Sequence, residues 1–489
     1  MVDYLKLRNK LLAFPQLKGE EYSKLITSRF LSVFFHQILI SRVENQVTNQ
    51  FENKFFKIDF NCNEIHVKFR SYVKSLAVLI ALFFKFLLMF FSMIYFRLFY
   101  RSFSKLDSIN MFFGLTKQQI GARNDFSDFY RYLENLVKKQ NLHNFYIVES
   151  KNKIQFNLVN SKLLICGSPN LAAYTISNSF LHLLLLGPRI IYEFLFFLKI
   201  IFFKPVLQPI IADIFMERWL FTNSKIDNQS LIITPNNLFV QPINFHFNNK
   251  GYPRIMIWYS ASAIKLSESQ KYLDDSFYKY LPIDIHWVWN LEHKKYLDDI
   301  TTSQNIVVGP QLFYLPNAIA NKSKKYFDIC VMDITPTEWK LYEGTPYGLA
   351  RCYWFLSTVI NVYQELSIEN EGYKDFVRLF FKYKRKPESI HSSRYVDYIE
   401  YSLKNGILEI LPHNINLFDY LRSIDLLITT KFTSVGVVAE SVNCPVIYLE
   451  PEEYVKWFSY KSKTVSDSES LKTEITRLIR LRAREDSNL

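Results

Sequence analysis

The stretch DLLITTKFTSVGVVAESVNCPVIYLE, from Asp425 to Glu450, decides how the chain is read. It opens on Leu426 to Ile428, a short apolar run bounded by polar residues, as expected of a strand buried on both faces of a parallel sheet. Thr429, Thr430, Lys431, Phe432, Thr433 and Ser434 follow as a hydroxyl-rich turn. Val435 to Val442 is compatible with a helix that Asn443 and Pro445 close, and Val446 to Leu449 reads as the next strand. The unit is strand, polar turn, helix, strand. A helix entered from such a turn presents free N–H groups and a partial positive charge, so Thr433 and Ser434 suit a phosphate. The same hydroxyls equally suit a plain capping role.

Upstream of this unit the same alternation repeats. Phe327 to Met332 reads as a strand leading into the turn Asp333-Ile-Thr-Pro-Thr337, and Leu349 to Leu366 as a long helix. The strand Val377 to Phe381 runs into Lys382-Tyr-Lys-Arg-Lys-Pro387. Ser392 to Lys404 (helix), Ile407 to Leu411 (strand) and Asn416 to Ser423 (short helix) complete a small α/β domain. A second train of short apolar strands lies further back, at Leu231 to Thr234, Ile255 to Tyr259, Ile283 to Val288 and Ile306 to Val308. Gly309-Pro310, Leu315-Pro316 and the polar Asn317 to Lys325 separate the two trains. The expected organisation is a region 1–105, a Rossmann-like domain 106–320 with a hydrophobic insertion at 177–204, and a second Rossmann-like domain 321–489.

At 489 residues the chain has room for two or three cores. Its formal charge of +13 favours an anionic partner: a phosphorylated donor, an acidic membrane surface or nucleic acid. Dispersed positive residues and the lack of a recognised nucleic-acid motif argue against the last. Five scattered cysteines without a C-x-x-C pair point to a reducing compartment and away from structural zinc. The N-terminus lacks the order of a signal peptide, so the soluble part is expected in the cytoplasm.

Ser75 to Tyr100 is the most hydrophobic stretch, and His182 to Phe203 is a second, broken by Gly187-Pro188-Arg189. Lys85, Arg97, Glu193 and Lys199 sit within or beside them. Interfacial helices facing acidic head groups, spanning helices and buried core helices are the three readings. The first accounts for both the charges and the α/β-like material between the two stretches, so a peripheral or monotopic place on the cytoplasmic face of the inner membrane is expected.

Asp-Leu-Leu-Ile, the Phe-Thr-Ser turn, a helix bearing Glu440 and then Cys-Pro-Val-Ile-Tyr resemble the donor-binding half of GT-B glycosyltransferases. More narrowly, they are similar to bacterial surface-polysaccharide biosynthesis proteins known for a Pro-Phe-Thr-Ser motif. Here the motif reads Lys431-Phe432-Thr433-Ser434, with lysine in place of proline. The resemblance covers roughly the last two-thirds of the chain. It implies an α/β fold of two Rossmann-like, GT-B-like domains and a metal-independent glycosyltransferase. The nucleotide-sugar is a substrate rather than a cofactor, a CMP-linked keto-acid sugar among the possible donors, and the acceptor is lipid-linked or a growing surface polysaccharide such as capsule or lipopolysaccharide.

Candidate residues follow. Parallel strands deliver their last residues to one rim, so Lys382, Lys384 and Arg385 can face the same crevice as Thr433 and Ser434 and neutralise a leaving phosphate. Asp333 and Thr335 end the first strand of that domain and either line the cleft or cap a helix. The resemblance places Glu440 like the acidic residue that holds a donor ribose. Asp284 and His286, alternating with Trp287 and Trp289, are the first candidates for a base acting on an acceptor hydroxyl. Asp125 and Asp128 are the alternative, and His391 and His413 could assist phosphate departure. No Walker A, G-x-G-x-x-G or H-E-x-x-H appears. The rival functions are a noncatalytic membrane-associated assembly or export component and a basic nucleic-acid-binding protein.

Overall fold

Short apolar runs between polar turns build the frame of the molecule, as their length and bounding residues require. The structure is a computed structural model that describes residues 50–52, 56–61, 64–69, 72–99, 107–115, 126–140, 142–150, 157–159, 162–203, 217, 219–234, 242–246, 248, 250–260, 282–313, 325–332, 336, 348–370, 372–384, 391–412, 415–431, 433–451 and 463–487. A small antiparallel sheet comes first, made of β1 (Gln50–Glu52), β2 (Phe56–Asn61) and β3 (Glu64–Phe69). The apolar stretch Phe30 to Ile40, whose sequence has a helical look, and most of Pro205 to Phe221, where Leu207, Ile210, Ile211, Ile214 and Phe215 recur at helical spacing, lie outside the described residues.

An eight-stranded sheet follows, built from β4 (Ser108–Leu115), β5 (Tyr146–Ser150), β6 (Asn157–Val159), β7 (Leu163–Cys166), β8 (Asn228–Ile233), β9 (Arg254–Ile257), β10 (Ile285–Val288) and β11 (Gln304–Val307). Its order is β11-β10-β9-β8-β4-β5-β7-β6, and only β6 runs antiparallel. The chain starts in the middle at β4, winds outward through β5 and β7, then returns to β8 and winds the other way. The switch point falls between β4 and β8. Side chains alternate across the sheet: Phe112, Val148, Ile232 and Trp287 meet Phe129 and Leu133 of the Phe126–Gln140 helix, while Met111, Ile147, Leu231 and Met256 belong to the opposite cluster.

The second sheet has six strands, all parallel, in the order β14-β13-β12-β15-β16-β17. They are β12 (Phe327–Met332), β13 (Val377–Lys382), β14 (Glu409–Ile410), β15 (Leu426–Thr429), β16 (Val446–Leu449) and β17 (Lys463–Val465). Relative to chain order this is 3-2-1-4-5-6, so its switch point lies between β12 and β15, at the head of the stretch quoted first. β12 and β15 are buried along their whole length, which is why they read as unbroken apolar runs. One face packs on the helices Leu349–Glu369, Ser393–Lys404 and Ser468–Ser487 through Phe355, Val359, Ile399 and Leu471. The other face joins a continuous apolar cluster with the first sheet, taking in Trp258, Trp289 and Leu297 on one side and Val435, Val438 and Ala439 on the other.

The two hydrophobic stretches are helices, Tyr72–Phe99 and Phe180–Phe203. Gly187-Pro188 does not break the second one, contrary to the sequence expectation; the helix runs through Pro188. Gly187 also lies against Phe90, whose ring carbon would stand 3.5 Å from an added Cβ. Among the described residues no helix is long and apolar enough to cross a membrane.

Candidate functional site

The carboxyl ends of the two sheets meet. Ser434, just beyond β15, donates its hydroxyl to Ser260, just beyond β9, at 3.0 Å across 174 residues of sequence. Parallel strands bring their final residues to one edge, so the carboxyl ends of β12, β13, β15 and β16 share this rim with those of β4, β5, β8 and β9.

On the second-domain side, the turn after β15 is held from below. Lys431 donates its backbone N–H to Glu450 Oε1 at 2.6 Å, and the fully buried Glu450 carboxylate pairs with the buried Arg351 of the Leu349–Glu369 helix. A charge pair in this position fixes the turn against the sheet, since either partner alone would be a desolvated ion. Thr433 is buried and its hydroxyl accepts the Val435 N–H at 3.1 Å, so it takes the capping role that the sequence left open. Ser434 makes no such cap bond and is turned to the first domain instead. The Thr430 hydroxyl is buried and has no hydrogen-bond partner among the described residues.

The Val435–Ser441 helix ends as its sequence dictates. Asn443 takes a left-handed φ of 59°, and the Cys444 N–H returns to the Ala439 carbonyl. Gly436 is required here because any Cβ would collide with the Tyr448 ring packed on this helix. Tyr448 in turn donates its hydroxyl to Glu440 Oε1 at 3.1 Å, and the Lys431 ammonium lies 5.7 Å from its ring centroid. Burial pushes the Lys431 ammonium down to about 8, against the opposing pull of Glu440 and of Glu292 from the first domain. The lysine that replaces the motif's proline is therefore buried beside the Tyr448 ring, within the electrostatic reach of Glu440 and of Glu292 from the first domain.

Lys382 closes β13 on the same rim and is half-buried, its ammonium donating to the Tyr383 carbonyl at 3.3 Å. Lys384 is exposed beside it. β13 and β15 flank β12, so these lysines stand about 10 Å from the Thr429–Ser434 turn at the usual strand spacing. His391 packs edge-on against Tyr383 at 5.3 Å. Asp333, Thr335, Arg385 and His413 lie outside the described residues.

The first-domain candidates are placed differently. Asp284 precedes β10, at the amino end of a parallel strand and therefore on the edge opposite the rim. Its carboxylate is gripped by Arg254 Nη2 and Nε, at 2.5 and 2.8 Å, and by the Arg254 backbone N–H at 2.9 Å. Burial alone would push Asp284 up, but these hydrogen bonds outweigh it and hold the carboxyl below its usual range. His286 lies mid-strand with no exposure, its Nδ1 accepting from Trp258 Nε1 at 3.3 Å. Burial lowers it to about 4, and burial with the neighbouring His286 lowers His293 to about 3. Asp284 therefore stands on the edge opposite Ser434, and His286 is buried within the sheet. Asp125 is outside the described residues, and Asp128 falls in the first turn of the Phe126–Gln140 helix.

Two carboxylates that sequence reasoning passed over do stand at carboxyl ends. Glu149, at the end of β5, accepts the N–H of Gly114 at 2.6 Å, where β4 ends at the switch point with φ of 71°. Glu217 is bridged by Ser168 and Asn170, both at 2.7 Å, just past β7. No motif announces either residue; the available signal was position, Glu149 ending the run Tyr146 to Val148. Among the described residues no three His, Cys, Asp or Glu side chains gather to hold a metal ion.

Two parallel-sheet α/β domains meeting at their carboxyl rims define a protein of GT-B-like layout. The family is a specific one: the family described as polysaccharide biosynthesis PFTS motif protein matches residues 194–473, more than half of the chain, and the chain belongs to it. No curated protein matches. Among solved structures, the chain is similar to an alpha,alpha-trehalose 6-phosphate synthase from Burkholderia multivorans (7% identity, 77% of this chain and 91% of that one, TM-score 0.42). It is also similar to an alpha,alpha-trehalose-phosphate synthase (UDP-forming) from Burkholderia vietnamiensis (8%, 76% and 89%, 0.39) and to the S. aureus MnaA–UDP co-structure (11%, 76% and 88%, 0.38).

Proposed function

We propose that the protein is a glycosyltransferase that moves a sugar from a nucleotide-activated donor to a growing or lipid-linked surface polysaccharide. The observation that carries this reading is the junction of the two carboxyl rims at Ser434 and Ser260, in a chain of a polysaccharide-biosynthesis family. The donor lies over the β12–β15 switch point. Its phosphate is met by Ser434, Lys382 and Lys384, and its ribose by Glu440, which Tyr448 orients; Arg385, Asp333 and Thr335 join this set on the sequence pattern alone. A CMP-linked keto-acid sugar remains one donor that the family resemblance suggests. The acceptor approaches from the first-domain rim.

The acceptor oxygen forms a bond to the anomeric carbon, while the bond from that carbon to the phosphate oxygen breaks and leaves its electron pair on the nucleotide. The proton of the acceptor goes to Glu149, the carboxylate at the first-domain switch point, in place of Asp284 or His286. Cationic side chains stabilise the departing phosphate.

The test is release of free nucleotide from a panel of cytidine, uridine and guanosine nucleotide-sugars, with and without a lipid-linked glycan acceptor. Acceptor-dependent release that a Ser434→Ala, Lys384→Ala double variant loses while remaining folded supports the reading. No release with any donor, together with binding of nucleotide, favours a noncatalytic assembly role.

A further inference from the structure

The helices Tyr72–Phe99 and Phe180–Phe203 pack lengthwise on each other. Phe83 stacks on Phe194 at 4.1 Å between ring centroids, and Met89, Met93, Leu183 and Leu186 are buried between the pair and the body of the protein. Their other side is bare. Thirteen of the twenty-two exposed large apolar side chains among the described residues lie on these two helices, so the exposure is concentrated rather than scattered. Phe84, Leu88 and Phe91 on the first helix are 53–60% exposed, and Leu181, Leu185 and Leu195 on the second are 58–65% exposed. The stripe on the first helix recurs every three or four residues from Ile80 to Leu98, about 27 Å of continuous apolar face at the helical rise. A patch of this extent exceeds what soluble monomers leave uncovered.

Charge decides what covers it. In sequence the two helices carry Lys74, Lys85, Arg97, Arg189 and Lys199 against a single Glu193. A second copy docking through the same pair of helices would bring two like net charges together, whereas a layer of anionic head groups complements a net positive pair. Arg189, held 5.0 Å from the Tyr192 ring and 5.8 Å from Trp219, and exposed Tyr95 and Tyr192 supply the amphipathic groups that favour the head-group level. Among the described residues no helix is long and apolar enough to cross a membrane. We infer that this helix pair lies in the plane of an anionic lipid bilayer, with its apolar face in the head-group and acyl boundary.

The face is rooted close to the rim. Leu171 and Tyr174 of the Pro169–Ser177 helix pack into the hydrophobic pair, while Ala172, Ala173 and Ile176 of the same helix pack on the first sheet. Ser168 and Asn170 at its start hold Glu217 at the carboxyl end of β7. The inference stands on the helix pair alone and is independent of the sugar-transfer reading.

The test is co-sedimentation of the full chain with phosphatidylcholine vesicles, with and without phosphatidylglycerol. The expected result is binding to the anionic vesicles that weakens in high salt and falls about tenfold or more in a Leu88→Glu, Leu185→Glu variant. Both residues are exposed, so the thermal unfolding midpoint of the variant is expected to match the parent, which separates lost docking from lost folding. Equal binding to neutral and anionic vesicles, no binding to either, or undiminished binding by the variant overturns the inference. A concentration-dependent dimer that the same substitutions abolish, without vesicle binding, assigns the face to a second copy and overturns it as well.

Discussion

Replacing Glu450 with glutamine removes one charge from the floor of the Thr429–Ser434 turn and leaves its shape intact. Glu450 has no exposure, and its partner Arg351 is 91% buried, so water cannot take over when the carboxylate is gone. The amide oxygen of glutamine still accepts the Lys431 N–H, which preserves a hydrogen bond of about 1 kcal/mol. What is lost is the counter-ion of a buried guanidinium, a change that costs about 3–5 kcal/mol when one partner of a buried pair is removed. For a domain of this size that corresponds to roughly 6–20 °C in the midpoint of thermal unfolding. A Glu450→Gln, Arg351→Met double variant removes the stranded charge and is expected to recover most of the loss, giving a coupling of about 3 kcal/mol. Differential scanning calorimetry of the full chain measures both. A single variant that loses less than about 1 kcal/mol, or a double variant no better than the single, refutes the argument that this ion pair fixes the turn.

Further outcomes follow from the same geometry. Gly436→Ala forces a Cβ onto the Tyr448 ring, 2.6 Å from Cε1, so overpacking of about 1–3 kcal/mol should exceed the helix-propensity gain of at most about 1 kcal/mol; a Tyr448→Leu background should relieve it in equilibrium unfolding. Asp284→Asn is expected to lower stability by about 1 kcal/mol, a modest figure because the pair is partly exposed, and to leave the rate of transfer unchanged, since the residue stands on the edge opposite the rim. Glu149→Gln is expected to lower that rate about 100-fold or more with little change in nucleotide affinity, as read from steady-state kinetics and calorimetric titration. Acid should destabilise the fold. The folded pKa values of His286 and His293, about 4 and about 3, lie below 6.5, so the unfolded chain takes up protons first and stability falls as pH drops below 6.5. By about pH 5.5 the two together account for a loss of about 3 kcal/mol, and His293→Phe should roughly halve that slope in pH-dependent urea unfolding.

The sequence is most legible where one force dominates. β12 and β15 are buried on both faces and read as apolar runs, and Asn443 with Pro445 marks the helix end because the left-handed turn and the missing N–H leave few alternatives. Placement on a rim is legible from parallel order alone, which is how Lys382 and Ser434 could be set on one edge before any coordinates. The alternation around Asp284 and His286 was equally regular, but periodicity does not say which end of a short strand faces the cleft. Here Arg254, thirty residues upstream, holds Asp284 at the amino end of its strand. Glu149 and Glu450 were hidden for a related reason: each acts through a partner distant in sequence, Gly114 and Arg351, and no local pattern encodes such a meeting. Thr433 shows the limit of motif reading from the other side, since its hydroxyl turns inward to cap the helix and only Ser434 faces the other domain.

Hydrogen–deuterium exchange of the full chain with and without nucleotide-sugar tests the central claim most directly, because it reports where on the molecule the ligand sits. Protection is predicted at the carboxyl ends of β13 and β15 and along Ser434 to Ser441, with no change around Arg254 and Asp284 at the opposite edge. Protection confined to that opposite edge, or no protection with any cytidine, uridine or guanosine donor at saturating concentration, would contradict a donor site between the two rims.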